Sequence, residues 1–106
     1  MQLPKSDINT IISEITALLP DSHIFLFGSY AKGYQTDSSD LDICVISSSF
    51  PGRQISVIHK IRSAIADKIT LPIDILLFQK DEFDKNSKLK PTIEYSIAKE
   101  GILLNA

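Results

Sequence analysis

Residues 54–69 set Val57, Ile58, Ile61, Ala64, Ile65 and Ile69 at helical spacing, and this stretch lies between two short apolar runs, 41–46 and 73–78. The runs read as strands. A helix of that length between two strands is what a crossover connection requires, so the two strands are expected in one sheet with the helix across a face. Residues 24–27, an unbroken Ile-Phe-Leu-Phe bounded by Gly28, read as a further buried strand. Ahead of it, residues 6–19 carry Ile8, Ile11, Ile12, Ile15, Leu18 and Leu19 on one helical face, with Ser6 as the expected cap and Pro20 as the stop. After the third strand, 81–90 reads as a charged surface stretch, partly helical. Residues 92–100 then read as a last helix closed by Gly101, and 102–104 as a short final strand. The fold class is α/β (α+β), and with 106 residues the chain is expected to form one domain, 1–106, around a single core.

Chemistry concentrates between the first two strands. Gly28 lets the chain turn sharply and approach a ligand. The residues from Ser29 to Lys32 then open a short helix whose free amides and positive dipole end suit a phosphate, and Gly33 ends it as a C-terminal glycine. Lys32 adds a point charge one turn on. Past the polar turn that follows, Asp40 and Asp42 stand two residues apart on an extended chain, so both carboxylates face one side of a sheet. Like charges held this close raise each other's pKa unless a cation neutralises them, and magnesium prefers such oxygen ligands. Asp74 supplies a third acid inside the apolar run 73–78, where an unpaired charge costs several kcal/mol. If its strand lies beside that of Asp42, the three carboxylates form a cluster able to hold two metal ions for in-line displacement at phosphorus. Each dipeptide alone is an ordinary turn or cap; the three together, each set against an apolar strand, favour a catalytic site.

The segment from His23 to Ile46, with Gly28-Ser29 followed after ten residues by Asp40-Leu41-Asp42, resembles the signature of the DNA polymerase beta-like nucleotidyltransferase superfamily, and within it the minimal nucleotidyltransferases. The resemblance extends from the first helix to the closing Glu100-Gly101-Ile-Leu-Leu. It implies a nucleotidyltransferase fold, a small mixed sheet with helices packed mainly on one face and a nucleoside triphosphate bound with magnesium over the other. By resemblance, Gly28 and Ser29 hold the triphosphate, Asp40 and Asp42 bind metal, and Asp74 binds the catalytic metal and helps activate the attacking hydroxyl. Lys32 stands where many relatives have arginine, a bidentate fork rather than a point charge. Two magnesium ions are implied as cofactors, ATP or another nucleoside triphosphate as donor, and a helical HEPN-type toxin as the partner whose tyrosine accepts AMP. A small-molecule adenylyltransferase of the aminoglycoside type and a nucleotide-binding module without turnover stand as alternatives. Retention of all three acids counts against the latter, and the short chain, without an acceptor domain, against the former.

Composition narrows the partners. A net charge of −2 and a pI near 5.6 give no basic face for a long nucleic acid. No apolar run is of membrane-spanning length and no signal peptide is present, so a cytoplasmic location is expected. The one cysteine, Cys44, reads as a small core residue. His59 and the cluster Lys85, Lys88 and Lys90 read as solvated faces. His23 reads the same way, with phosphate contact the lesser alternative. For Tyr30 and Tyr34, beside the glycine turn, base stacking and rim packing are both open.

Overall fold

A computed structural model describes residues 5–36 and 39–105. In chain order the elements are α1 (Lys5–Leu18), β1 (His23–Phe27), α2 (Gly28–Lys32), β2 (Leu41–Ser47), α3 (Gln54–Ala66), β3 (Ile73–Gln79), α4 (Lys80–Asn86), α5 (Ile93–Glu100) and β4 (Ile102–Leu103). The four strands form one mixed sheet in the order β3-β2-β1-β4. β1 runs antiparallel to both β2 and β4, whereas β2 and β3 are parallel and joined by α3. The crossover expected from the spacing of 54–69 is therefore present.

Alternation along β2 sorts its side chains onto two faces. Leu41, Ile43 and Val45 point into a core with Ile11 and Ile15 of α1, Val57, Ile61 and Ile65 of α3, and Tyr30 of α2. Cys44 and Ile46 point the other way, into a smaller cluster with Phe83 of α4 and Ile97 of α5. The longer helices thus share one face with α2, while two short helices cover part of the other. At roughly 1.5–3 kcal/mol per fully buried large side chain, the first layer provides most of the apolar driving force.

Local chemistry sets the element ends. Gly33 closes α2 at φ 78°, a left-handed conformation that costs a residue with a Cβ about 1–2 kcal/mol. Thr92 caps α5, its Oγ1 accepting from the Tyr95 amide at 3.1 Å. Ser6 is not the cap of α1: the helix already includes Lys5, and the Ser6 carbonyl accepts from Thr10 Oγ1 within it. α3 stops at Ala66 rather than 69, although Ile69 remains buried and its amide still bonds the Ile65 carbonyl at 3.1 Å. The charged stretch 81–90 hides one core residue, Phe83, 5% exposed on α4 and tilted against Phe78 with ring centroids 5.6 Å apart. The chain end is tied to β1 by Asn105, whose Oδ1 accepts from the Ile24 amide and whose Nδ2 donates to the Ser22 carbonyl, both at 2.8 Å.

Candidate active site

The acids meet because of register. Across the parallel β2–β3 pair Asp42 lies directly opposite Asp74, and across the antiparallel β1–β2 pair it lies opposite Phe27, the residue before Gly28. Asp42 and Asp74 therefore share the face that also bears Cys44 and Leu76, at the end of the sheet where β1 finishes and β2 and β3 begin. Asp40 precedes β2 by one residue, close enough for its charge to act on Asp42. Asp40 and Asp74 are exposed and Asp42 is half-buried.

Gly28 holds φ 73°, and a Cβ added there would overlap Oδ2 of Asp42 and come within 3.0 Å of its Cγ. The glycine thus supplies both the turn and the room for the carboxylate. The turn at Gly28-Ser29 and the acid pair are one contiguous structure.

The charge balance of the group is uneven. Asp42's carboxyl is held above the ordinary carboxylate range, first by burial and then by the negative charges of Asp74 and Asp40. Among the described residues no three His, Cys, Asp or Glu side chains converge closely enough to hold a metal ion by themselves. The three aspartates meet at one end of the sheet but not in a closed cage. An oxygen-only set of repelling carboxylates with open positions fits a hard cation whose other ligands come from water or phosphate.

Lys32 sits in the last turn of α2 and its ammonium lies 3.1 Å from Oε2 of Glu100 on α5. Both groups are about half exposed. A cavity of about 120 Å³ separates the two helices under this ion pair, reaching from Gly28 and Ala31 to Ile93 and Ile97. The pairing of Lys32 with Glu100 has no local sequence signal, because it joins helices far apart in the chain.

Other candidates fall away from the acids. His23 opens β1 and is exposed at the opposite end of the strand from Gly28, too far for phosphate contact at about 3.3 Å per residue. His59 is exposed on α3. Tyr30 is 8% exposed within the core, so it is no stacking platform, whereas Tyr34 is 74% exposed. Cys44 is fully buried below Asp42, its thiol pushed up to about 12 by burial and by the nearby Glu94. Glu94, itself 9% exposed, accepts from Asn86 Nδ2 at 2.9 Å and ties α5 to α4. Among the described residues no helix is long and apolar enough to cross a membrane.

Comparison with known proteins shows the fold and the family. Solved structures with this fold include a toxin–antitoxin crystal structure with AMP-PNP, matched at 23% identity over 93% of this chain and 73% of that one with a TM-score of 0.62. A second is the MntA-HpeT toxin–antitoxin pair in a mutant form with two aspartates, two positions apart, changed to glutamate. It matches at 20% identity over 93% of this chain and 72% of that one with a TM-score of 0.66. A third, a candidate nucleotidyltransferase from Sulfolobus solfataricus, matches at 20% identity over 97% of this chain and 89% of that one, with a TM-score of 0.53. No curated protein sequence matches. The family model described as "Nucleotidyltransferase domain" matches residues 8–104, nearly the whole chain, and this protein belongs to that family.

Proposed function

We propose that the protein transfers a nucleoside monophosphate, AMP from ATP, to a hydroxyl group of a partner protein, and that it does so as the antitoxin of a pair with a HEPN-type toxin. The observation that carries the transfer reading is the register of Asp42 opposite Asp74 beside the Gly28 turn, with the acids at an uncovered end of the sheet. The pairing with a toxin is supported by the two similar structures that are toxin–antitoxin complexes, one of them with AMP-PNP. The altered aspartates of the other have the same spacing as Asp40 and Asp42.

In this reading Gly28 and Ser29 receive the triphosphate, with the Gly28 backbone close to the phosphate because no Cβ intervenes. Asp40, Asp42 and Asp74 are the magnesium ligands. Magnesium, when bound, neutralises the triphosphate and the charge that develops at the α-phosphorus. Asp74, exposed at the sheet edge strand, takes the proton of the incoming hydroxyl. Lys32 joins the phosphate only by leaving Glu100.

The open end of the sheet suits an acceptor presented by another protein, because in-line attack needs the oxygen within about 3–3.5 Å of phosphorus and a docked surface can place it there. Mass spectrometry tests this. With ATP and magnesium, a co-expressed HEPN-type partner should gain AMP units of about 329 Da each, the group left when pyrophosphate departs. An unmodified partner beside an adenylylated aminoglycoside would replace the protein acceptor by a small molecule.

A further inference from the structure

Of the three tyrosines, one presents its phenol to solvent. Tyr30 is buried in the core, and Tyr95 is half-buried beneath the ammonium groups of Lys90 and Lys99, 5.4 and 5.8 Å from its ring centroid. Tyr34 is 74% exposed and its hydroxyl has no hydrogen-bond partner among the described residues. Its backbone is nonetheless fixed. The Tyr34 amide bonds the Ser29 carbonyl at 2.9 Å, immediately after the left-handed Gly33. A free acceptor hydroxyl is thus anchored to the element that bears the Gly28-Ser29 turn.

We propose that Tyr34 is a self-modification site: its phenol accepts AMP from the active site of a second copy of the chain. The proposal rests on the nucleotidyl-transfer reading above. Oη of Tyr34 attacks the α-phosphorus of ATP held by the second copy, and a new phosphorus–oxygen bond forms. The bond from the α-phosphorus to the oxygen bridging to the β-phosphate breaks, pyrophosphate leaves with the electron pair, and the phenolic proton passes to Asp74 of the second copy. The product is a tyrosyl-AMP phosphodiester plus pyrophosphate, and no further reactant is needed.

The place of Tyr34 in the fold favours transfer between copies. The Ser29 carbonyl that holds Tyr34 points along α2 toward its C-terminal end, whereas the turn for phosphate is at the other end of this helix, about 7.5 Å long at 1.5 Å per residue. The Tyr34 backbone thus starts at the end of α2 away from its own phosphate turn, and a ring brought by a second copy is free to take the line of attack that the α-phosphorus requires. In another copy, Asp40 and Asp74 lie at an exposed end of the sheet that such a projecting ring can enter.

The test uses the purified chain with ATP and magnesium, followed by intact mass, fragment mapping and pyrophosphate release, with ATP binding measured separately by calorimetry. One addition of about 329 Da is expected on Tyr34, at an initial rate per molecule that rises in proportion to protein concentration. Tyr34→Phe should lose the adduct yet still modify Tyr34 of an Asp42→Asn chain mixed with it. An adduct on another residue, a rate per molecule independent of concentration, or failure of the mixed reaction would overturn the proposal. If ATP binds with magnesium and AMP reaches a different acceptor while Tyr34 stays bare, the self-modification falls and the transfer reading stands. If neither binding nor AMP transfer occurs, both fall.

Discussion

Gly28 and Asp42 fit together only because one of them lacks a side chain: a Cβ on Gly28 would overlap Oδ2 of Asp42, and the glycine's φ of 73° is itself a conformation that side chains disfavour. Gly28→Ala should therefore damage both turn and acid. The left-handed backbone alone costs about 1–2 kcal/mol, and displacement of the carboxylate adds to it. A fall in Tm of several degrees together with lost magnesium-dependent ATP binding is expected. A variant with unchanged melting and binding would mean that the turn does not press on the acid.

Asp42→Asn should leave the metal-free protein as stable or more stable at neutral pH. The folded state raises this carboxyl by burial and by the charges of Asp74 and Asp40, so the folded chain holds the proton more tightly than the unfolded one. The group's contribution to stability is then greatest below its unfolded pKa and is lost as pH rises through the folded value. Because the carboxylate keeps much of its contact with water, the gain on removing its charge is below about 1 kcal/mol. Melts in EDTA over a pH series that starts near the ordinary aspartate value of about 4 and runs upward check the sign. Clear destabilisation by Asn at pH 7 would make Asp42 a structural residue.

The Lys32–Glu100 ion pair predicts a trade. Exposed pairs contribute about 0–1 kcal/mol, so Glu100→Gln should scarcely move Tm while freeing the ammonium beside the phosphate turn. ATP is expected to bind several-fold more tightly to Glu100→Gln, and Lys32→Ala should remove that gain. Equal affinity in all three proteins would place Lys32 outside the nucleotide site.

What could be read in the sequence was what repeats or stands close in the chain. The alternation of 41–46, the helical spacing of 54–69 and the run 24–27 each declare their element locally, and Gly28 with Asp40 and Asp42 lies within one short segment. Asp74 was legible as an acid in an apolar strand, but its place opposite Asp42 is a matter of register, which only the folded sheet supplies. Phe83 shows the converse. A single apolar residue among Lys80, Asp81, Glu82, Asp84 and Lys85 has no periodic partners, and its burial comes from Phe78, Ile46 and Cys44 beneath it. The pairings of Glu94 with Asn86 and of Glu100 with Lys32 were likewise illegible, since they are set by how α5 lies over the sheet.

Calorimetric titration with ATP, in magnesium and in EDTA, tests most directly whether Asp40, Asp42 and Asp74 form a metal-dependent nucleotide site. The wild-type chain should bind ATP in magnesium and lose at least about tenfold in affinity in EDTA, a difference of 1.4 kcal/mol. Asp42→Asn and Asp74→Asn should bind weakly under both conditions. Equal binding with and without magnesium, or undiminished binding by both variants, would contradict the account.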